Sequence, residues 1–226
     1  MLSALFKAFG QLGDPRLLRV MRWGILGALA AYAALVVAIW TLLAHVRLFE
    51  TAWADWSGDL AVGGLVLVLP LLFFPALVTA AMSPLLDGVA DAVEARHYPH
   101  LGPARHQPAA EMVLGALAFF GLTVLLNLVA LPVYLVLLFT GFSFVLAALL
   151  NGYLLGREYY DLVALRRLTP PEARKLWRDR RGSLWLAGAI IATLFSLPIL
   201  NLLAPVIAAA FMTHMVEMLQ ARVKPL

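Results

Sequence analysis

Sixteen of the 17 lysines and arginines fall in four segments, 1–22, 87–111, 156–182 and 217–226, and the long stretches between them are nearly free of charge. A water-soluble fold has no use for uncharged runs such as the 44 residues of 112–155, whereas a lipid bilayer takes helical runs of about 20 apolar residues. Loops that stay in the cytoplasm retain Lys and Arg. Both termini and the connectors 87–111 and 156–182 are therefore expected inside. The remaining basic residue, Arg47, stands in 44–59 beside Glu50, Asp55 and Asp59, and this loop is expected outside.

Composition agrees. Apolar residues make up 63% of the chain and charged residues 13%, about half the charged share of a soluble domain. The net charge of +4 suits anionic lipid headgroups, and no basic soluble domain is present to hold a nucleic acid. Cysteine is absent, which excludes disulfides, thiolate metal sites and cysteine catalysis. The first apolar stretch is short and lacks a small-residue cleavage site, so it does not read as a cleaved signal.

Residues 2–12 place Leu2, Leu5, Phe6, Phe9 and Leu12 at helical spacing. That stripe predicts an amphipathic helix over 1–13 lying on the membrane face. Asp14-Pro15 reads as an N-cap followed by proline at the first helical position, opening a transmembrane helix over 15–44. A second crossing over 60–97 returns the chain inside, kinked at Pro70 and Pro75, and its last turns project into the cytoplasm. Thr169-Pro170-Pro171-Glu172 fits a capping box that opens a short basic helix, with Trp177 as its interfacial anchor.

The stretches 112–155 and 183–216 must each enter and leave on one side. The second, at 34 residues, is shorter than two crossings of about 20 residues and a turn. Pro198, Asn201 and Pro205 divide it into arms too short to reach the far surface. Both stretches are predicted to be helical hairpins that dip in and return. Leu126–Val133 parallels Leu200–Val206 with a one-residue gap, which predicts matching breaks at Asn127 with Pro132 and at Asn201 with Pro205. Interrupted helices at corresponding positions build mid-membrane sites in several transporters. Six full crossings is the alternative layout.

Candidate chemistry centres on Arg16, Arg19 and Arg22. A helix N-terminus leaves N–H groups free and carries about half a positive charge, so arginines there favour an anionic partner. Two readings stand, a site for a transported anion and plain contact with lipid phosphates. Asn127 and Asn201 either cap broken helices or line a path. Glu158 and Asp161, among Arg157, Arg166 and Arg167, are expected in structural ion pairs. His97, His100 and His106 with Asp91 and Glu94 match no metal-site spacing, and His45 and His214 read as interfacial. No P-loop, nucleophile elbow or dinucleotide fingerprint occurs. Neither an enzyme nor a metal or cofactor is expected.

The order of these elements resembles the CysZ sulfate permeases and the wider etoposide-induced-protein family. The likeness covers residues 3–218. It is carried by the N-terminal helix, the Pro15–Arg19 turn, Ser83-Pro84-Leu85 before the acidic helix with Glu94, Gly156–Asp161, and above all Leu197–Leu202 with Pro205-Val206. The resemblance implies an all-α integral membrane protein with two long transmembrane helices and two partly penetrating helical hairpins. It further implies sulfate or a related oxyanion as substrate, entering the cytoplasm across the bacterial inner membrane by a channel-like or secondary route that supports cysteine synthesis. The family's sulfate-binding turn is Pro-Gly-hydrophobic-Arg-Arg. Here Pro15-Arg16-Leu17-Leu18-Arg19 stands in its place: Arg19 matches, Leu18 replaces an arginine and Arg16 the glycine. The implied binding segment is therefore Arg16, Leu17, Leu18 and Arg19, with Arg22 as helper, and the hairpin breaks at Asn127, Pro132, Pro198, Asn201 and Pro205 would shape the passage. A homo-oligomer is expected, because one small bundle makes a thin pore. The competing class is a non-transporting membrane scaffold or lipid-organising protein.

Overall fold

A buried C-terminal helix organises the structure, a computed structural model that describes residues 1–43 and 85–221. The described elements, in chain order, are α1 (Leu2–Gly10), α2 (Pro15–Leu43), α3 (Leu86–His97), α4 (Ala109–Leu138), α5 (Ser143–Ala164), α6 (Pro170–Asp179), α7 (Arg181–Ser196), α8 (Pro198–Asn201) and α9 (Ala204–Ala221). No strand occurs among the described residues. The expected outward loop, most of the second crossing with Pro70 and Pro75, His45 and the last five residues lie outside them.

Every residue of α9 from Ala204 to Glu217 is buried, enclosed by α1, α3, α5 and α7. Its run Ala208-Ala209-Ala210 presents small side chains that let neighbours approach closely. On α1, Ala4 and Ala8 are buried against α9, while Leu2 and Phe6 stay exposed at 66% and 72%. The expected amphipathic helix is thus two-faced, with small residues on the protein side and large apolar ones turned outward.

The tightest contact joins α5 to α7. A β-carbon on Gly156 would meet the Leu184 carbonyl oxygen at 2.9 Å, and one on Gly152 would meet the Ala189 Cα at 3.2 Å. Gly152 and Gly156 are four residues apart, so they stack on one face and allow backbone to touch backbone.

Among the described residues, three helices are long and apolar enough to cross a membrane by length and composition: Pro15–Ala38 within α2, then α4 and α9. The chain is an all-α membrane protein. In α4 only Ala130 is buried, so its sides are free to face lipid. α9 has the opposite environment, inside the protein.

The break expected in the second stretch forms where it was placed. α7 ends at Ser196, Leu197 is extended, and the chain restarts after Leu203, with Pro198 and Pro205 each in the first turn of a new helix. Proline there loses no hydrogen bond, because the first N–H groups of a helix are unpaired anyway.

The break expected in the first stretch does not form. α4 runs unbroken for 30 residues with Pro132 inside it, about 45 Å at 1.5 Å per residue. Asn127 donates from Nδ2 to the Thr123 carbonyl at 2.8 Å, one turn back on the same helix, so it caps no break. The chain turns instead at residues 139–142, where Gly141 has φ +74°, a conformation that favours glycine. The apparent repeat at 126–133 and 200–206 is therefore not a structural one. A lone proline removes one hydrogen bond from a long helix, whereas Pro198 and Pro205 flank a short segment from both ends.

Candidate functional site

Asp14 opens α2 as its residue type predicts. Its Oδ1 accepts from the Arg16 backbone N–H at 2.9 Å, and its carbonyl accepts from Leu18 N–H at 2.9 Å. Its Oδ2 also pairs with Arg96 of α3 at 3.2 Å. These contacts, with the Arg16 N–H foremost, hold the Asp14 carboxyl below the ordinary aspartate value against the opposing effect of burial. The chain's own carboxylate thus occupies part of the helix terminus, and any external anion here depends on side chains.

Those side chains are available. Arg16, Arg19 and Arg22 are all exposed, and none forms an ion pair with a described residue. At i+3 spacing they spread over an arc of about 120° of the helix. Leu17 on the other side is 1% exposed and belongs to the core with Gly24 and Ala28, and Leu18 is exposed. Of the five residues expected to bind substrate, three arginines and Leu18 share the open side, and Leu17 faces inward.

The densest charge cluster lies elsewhere. Asp87, Asp91 and Glu94 recur at i, i+4 and i+7 on α3, so they form one stripe. The chain beyond α5 brings Arg166 to that stripe. Its guanidinium reaches Asp87 at 3.4 Å, Glu94 at 3.4 Å and Asp91. Arg167 pairs with Glu94 and donates to the Pro103 carbonyl at 3.1 Å. Arg166 and Glu94 are both 5% exposed. Arg105 extends the seam, donating to the Leu165 carbonyl at 3.1 Å and pairing with Glu111. The expected structural ion pairing of Glu158 and Asp161 among these arginines holds in part. Arg157 alone pairs with Asp161, at 2.8 Å and one turn away, while Glu158 is exposed with no ion pair among the described residues. Arg166 and Arg167 lie past the end of α5, where the chain has already turned toward α3.

His214 is not interfacial. It is 1% exposed and its Nδ1 shares a hydrogen bond with the Tyr98 hydroxyl at 2.9 Å. The His97 ring stands edge-on to it at 4.9 Å. Burial first, then Lys7 and Arg96, holds the His97 imidazole below its ordinary value. Buried polar atoms of Gln11, His97, His214 and Glu217 have no hydrogen-bond partner among the described residues. Such groups ordinarily hold ordered water, and they mark a polar seam between α1, α3 and α9. No group of three metal-ligating side chains occurs among the described residues.

Trp177 is corrected too. It is 7% exposed, stacked edge-on to Tyr153 at 5.8 Å and beneath the Arg157 guanidinium at 5.0 Å, so it anchors α6 to protein. The α6 capping box is present as predicted, with Thr169 N–H donating to Glu172 Oε2 at 2.8 Å.

Residues 4–205 match the protein family described as sulfate transporter CysZ/etoposide-induced protein 2.4. The chain belongs to that family. The match takes in the basic start of α2, the acidic stripe of α3, Arg166 and the α7–α9 break, so the expected membership holds over nearly the whole chain. The CysZ/etoposide-induced family is of transporter type, in keeping with the absence of enzyme motifs. Neither curated proteins nor solved structures give a significant match.

Sequence reasoning missed two features. Gly152-x-x-x-Gly156 was legible as a small-residue motif. The Arg166 seam was not, because its partners lie more than 70 residues away.

Proposed function

We propose that the protein carries sulfate or a related oxyanion across the bacterial inner membrane into the cytoplasm, by a channel-like or secondary route. What supports the reading is one arrangement: Arg16, Arg19 and Arg22 stand exposed, with no ion pair to a described residue, at the segment where the family resemblance puts the sulfate site. Other arginines near the described core, Arg96, Arg105, Arg157, Arg166 and Arg167, are consumed by carboxylates. A doubly charged tetrahedral anion needs more than one guanidinium to replace its hydration, and three on adjacent turns supply that. In this reading the passage continues along the polar seam between α1, α3 and α9 and past the break at Asn201 and Pro205. The sequence carries no nucleotide motif, so an ion gradient, metabolic trapping or another subunit drives net uptake. A homo-oligomer with both termini inside completes the reading.

The test is uptake of labelled sulfate into proteoliposomes. Wild-type protein is expected to exceed protein-free vesicles, and the R16Q/R19Q double variant to lose about tenfold or more, since charge-assisted pairs are the strong ones. Uptake no higher than in protein-free vesicles would assign the chain to the scaffold class.

A further inference from the structure

A second basic site lies away from the start of α2. A cleft of about 940 Å³ opens between α4, α5 and α6, within the size range of about 300–1,000 Å³ that holds small organic ligands. Its two ends differ in chemistry. One end is lined by Arg157, Asp161, Arg174 and Arg178, the other by Leu114, Ala118, Phe119 and Leu122 on the lipid-facing helix. Tyr153 and Trp177 also line it.

The charge at the polar end is positive in excess. Asp161 is held by Arg157, and Glu111, also on the lining, is held by Arg105. Arg174 and Arg178 are then left without a carboxylate partner among the described residues. They lie one turn apart on α6, both exposed, so both can reach a single anionic group. A free oxyanion would satisfy them yet leave the apolar wall wet. A planar membrane surface would satisfy them without using the cleft.

We propose that this cleft binds one anionic phospholipid, its phosphate between Arg174 and Arg178 and an acyl chain along Leu114, Ala118 and Leu122. The lipid wedges between α4 and the α5–α6 pair. α4 packs chiefly on α5 in the described structure, and the bound lipid adds contacts that fix it. This site does not depend on the sulfate reading, because none of its residues belongs to the α2 segment.

Native mass spectrometry of the full chain in detergent tests it, titrating phosphatidylglycerol, phosphatidylcholine or inorganic phosphate. Wild-type protein is expected to retain one phosphatidylglycerol, with phosphatidylcholine about tenfold weaker. The R174Q/R178Q variant, which removes charge, and the A118W variant, which fills the apolar wall, are each expected to lose about tenfold in affinity. Both change exposed positions, and an unaltered melting temperature checks that they fold. Equal lipid retention by wild type and both variants overturns the proposal. Displacement of the lipid by inorganic phosphate overturns it in favour of a free-anion site. Because the chain has no cysteine, an A118C variant that forms a disulfide dimer in membranes overturns it in favour of a second copy in the cleft.

Discussion

A β-carbon built on Gly188 would lie 1.9 Å from the carbonyl oxygen of Gly152. At that separation backbone must move, and no side-chain rotation relieves it. α5 and α7 are therefore joined through their main chains, and the second hairpin is fixed to the first by residues that have no side chain at all.

Gly188→Ala should then be among the most damaging single-methyl changes in the chain, costing about 3 kcal/mol or more by overpacking. Gly115→Ala, where a β-carbon meets nothing within 4 Å, is its control. Thermal unfolding of purified protein in detergent should separate the two clearly. Equal melting temperatures would falsify the close contact.

Glu94→Ala takes the only carboxylate partner of Arg167 among the described residues, and the one buried carboxylate of the three that meet Arg166. Breaking one side of a buried pair costs about 3–5 kcal/mol, and Glu94→Gln should recover part of the loss by keeping the hydrogen bonds. Asp87 is 70% exposed on its side chain, so Asp87→Asn should cost no more than about 1 kcal/mol. Denaturation of the three variants side by side checks the ranking.

Asp14 links stability to pH. Its folded pKa lies below the ordinary value of 3.8. Its ionised form therefore stabilises the fold above that ordinary value, and the benefit disappears as pH falls through the lower folded value. Asp14→Ala should cost about 1 kcal/mol as a lost cap at pH 5–7, and the gap to wild type should narrow as pH falls below the ordinary value of 3.8. A gap that is constant from pH 7 to pH 3 would show that the carboxylate charge plays no part.

Tyr98→Phe removes the hydroxyl that meets His214 Nδ1 and leaves a buried ring nitrogen without its partner. The expected cost is about 1–3 kcal/mol. Tyr134→Phe, on α4 and away from this seam, serves as the comparison, and thermal unfolding of both variants checks the difference.

The features legible in the sequence were local ones. Asp14-Pro15, the Thr169–Glu172 box and the break around Pro198 each rest on residues within one turn of each other, and each appears where its chemistry puts it. The break expected at Pro132 failed because proline alone does not end a helix when apolar residues continue on both sides. Pairing of Arg166 could not be read, since its three carboxylates belong to a helix far away in sequence. For the candidate anion segment, the arginines were visible as residue types. That they pair with no described carboxylate became visible only in the folded chain, where Arg96, Arg157 and Arg166 are occupied.

α4 and α9 look alike to a hydropathy count, yet one is bathed on nearly all sides and the other is walled in by its neighbours. The same substitution is thus judged by different criteria in the two. Exchanging Leu125 for Phe on α4 changes little, since fluid chains rearrange around it. Enlarging Ala209 on α9 forces rigid helices apart. Tolerance maps of this protein should divide its apolar segments by the solidity of their surroundings, with volume limiting α9 and polarity limiting α4.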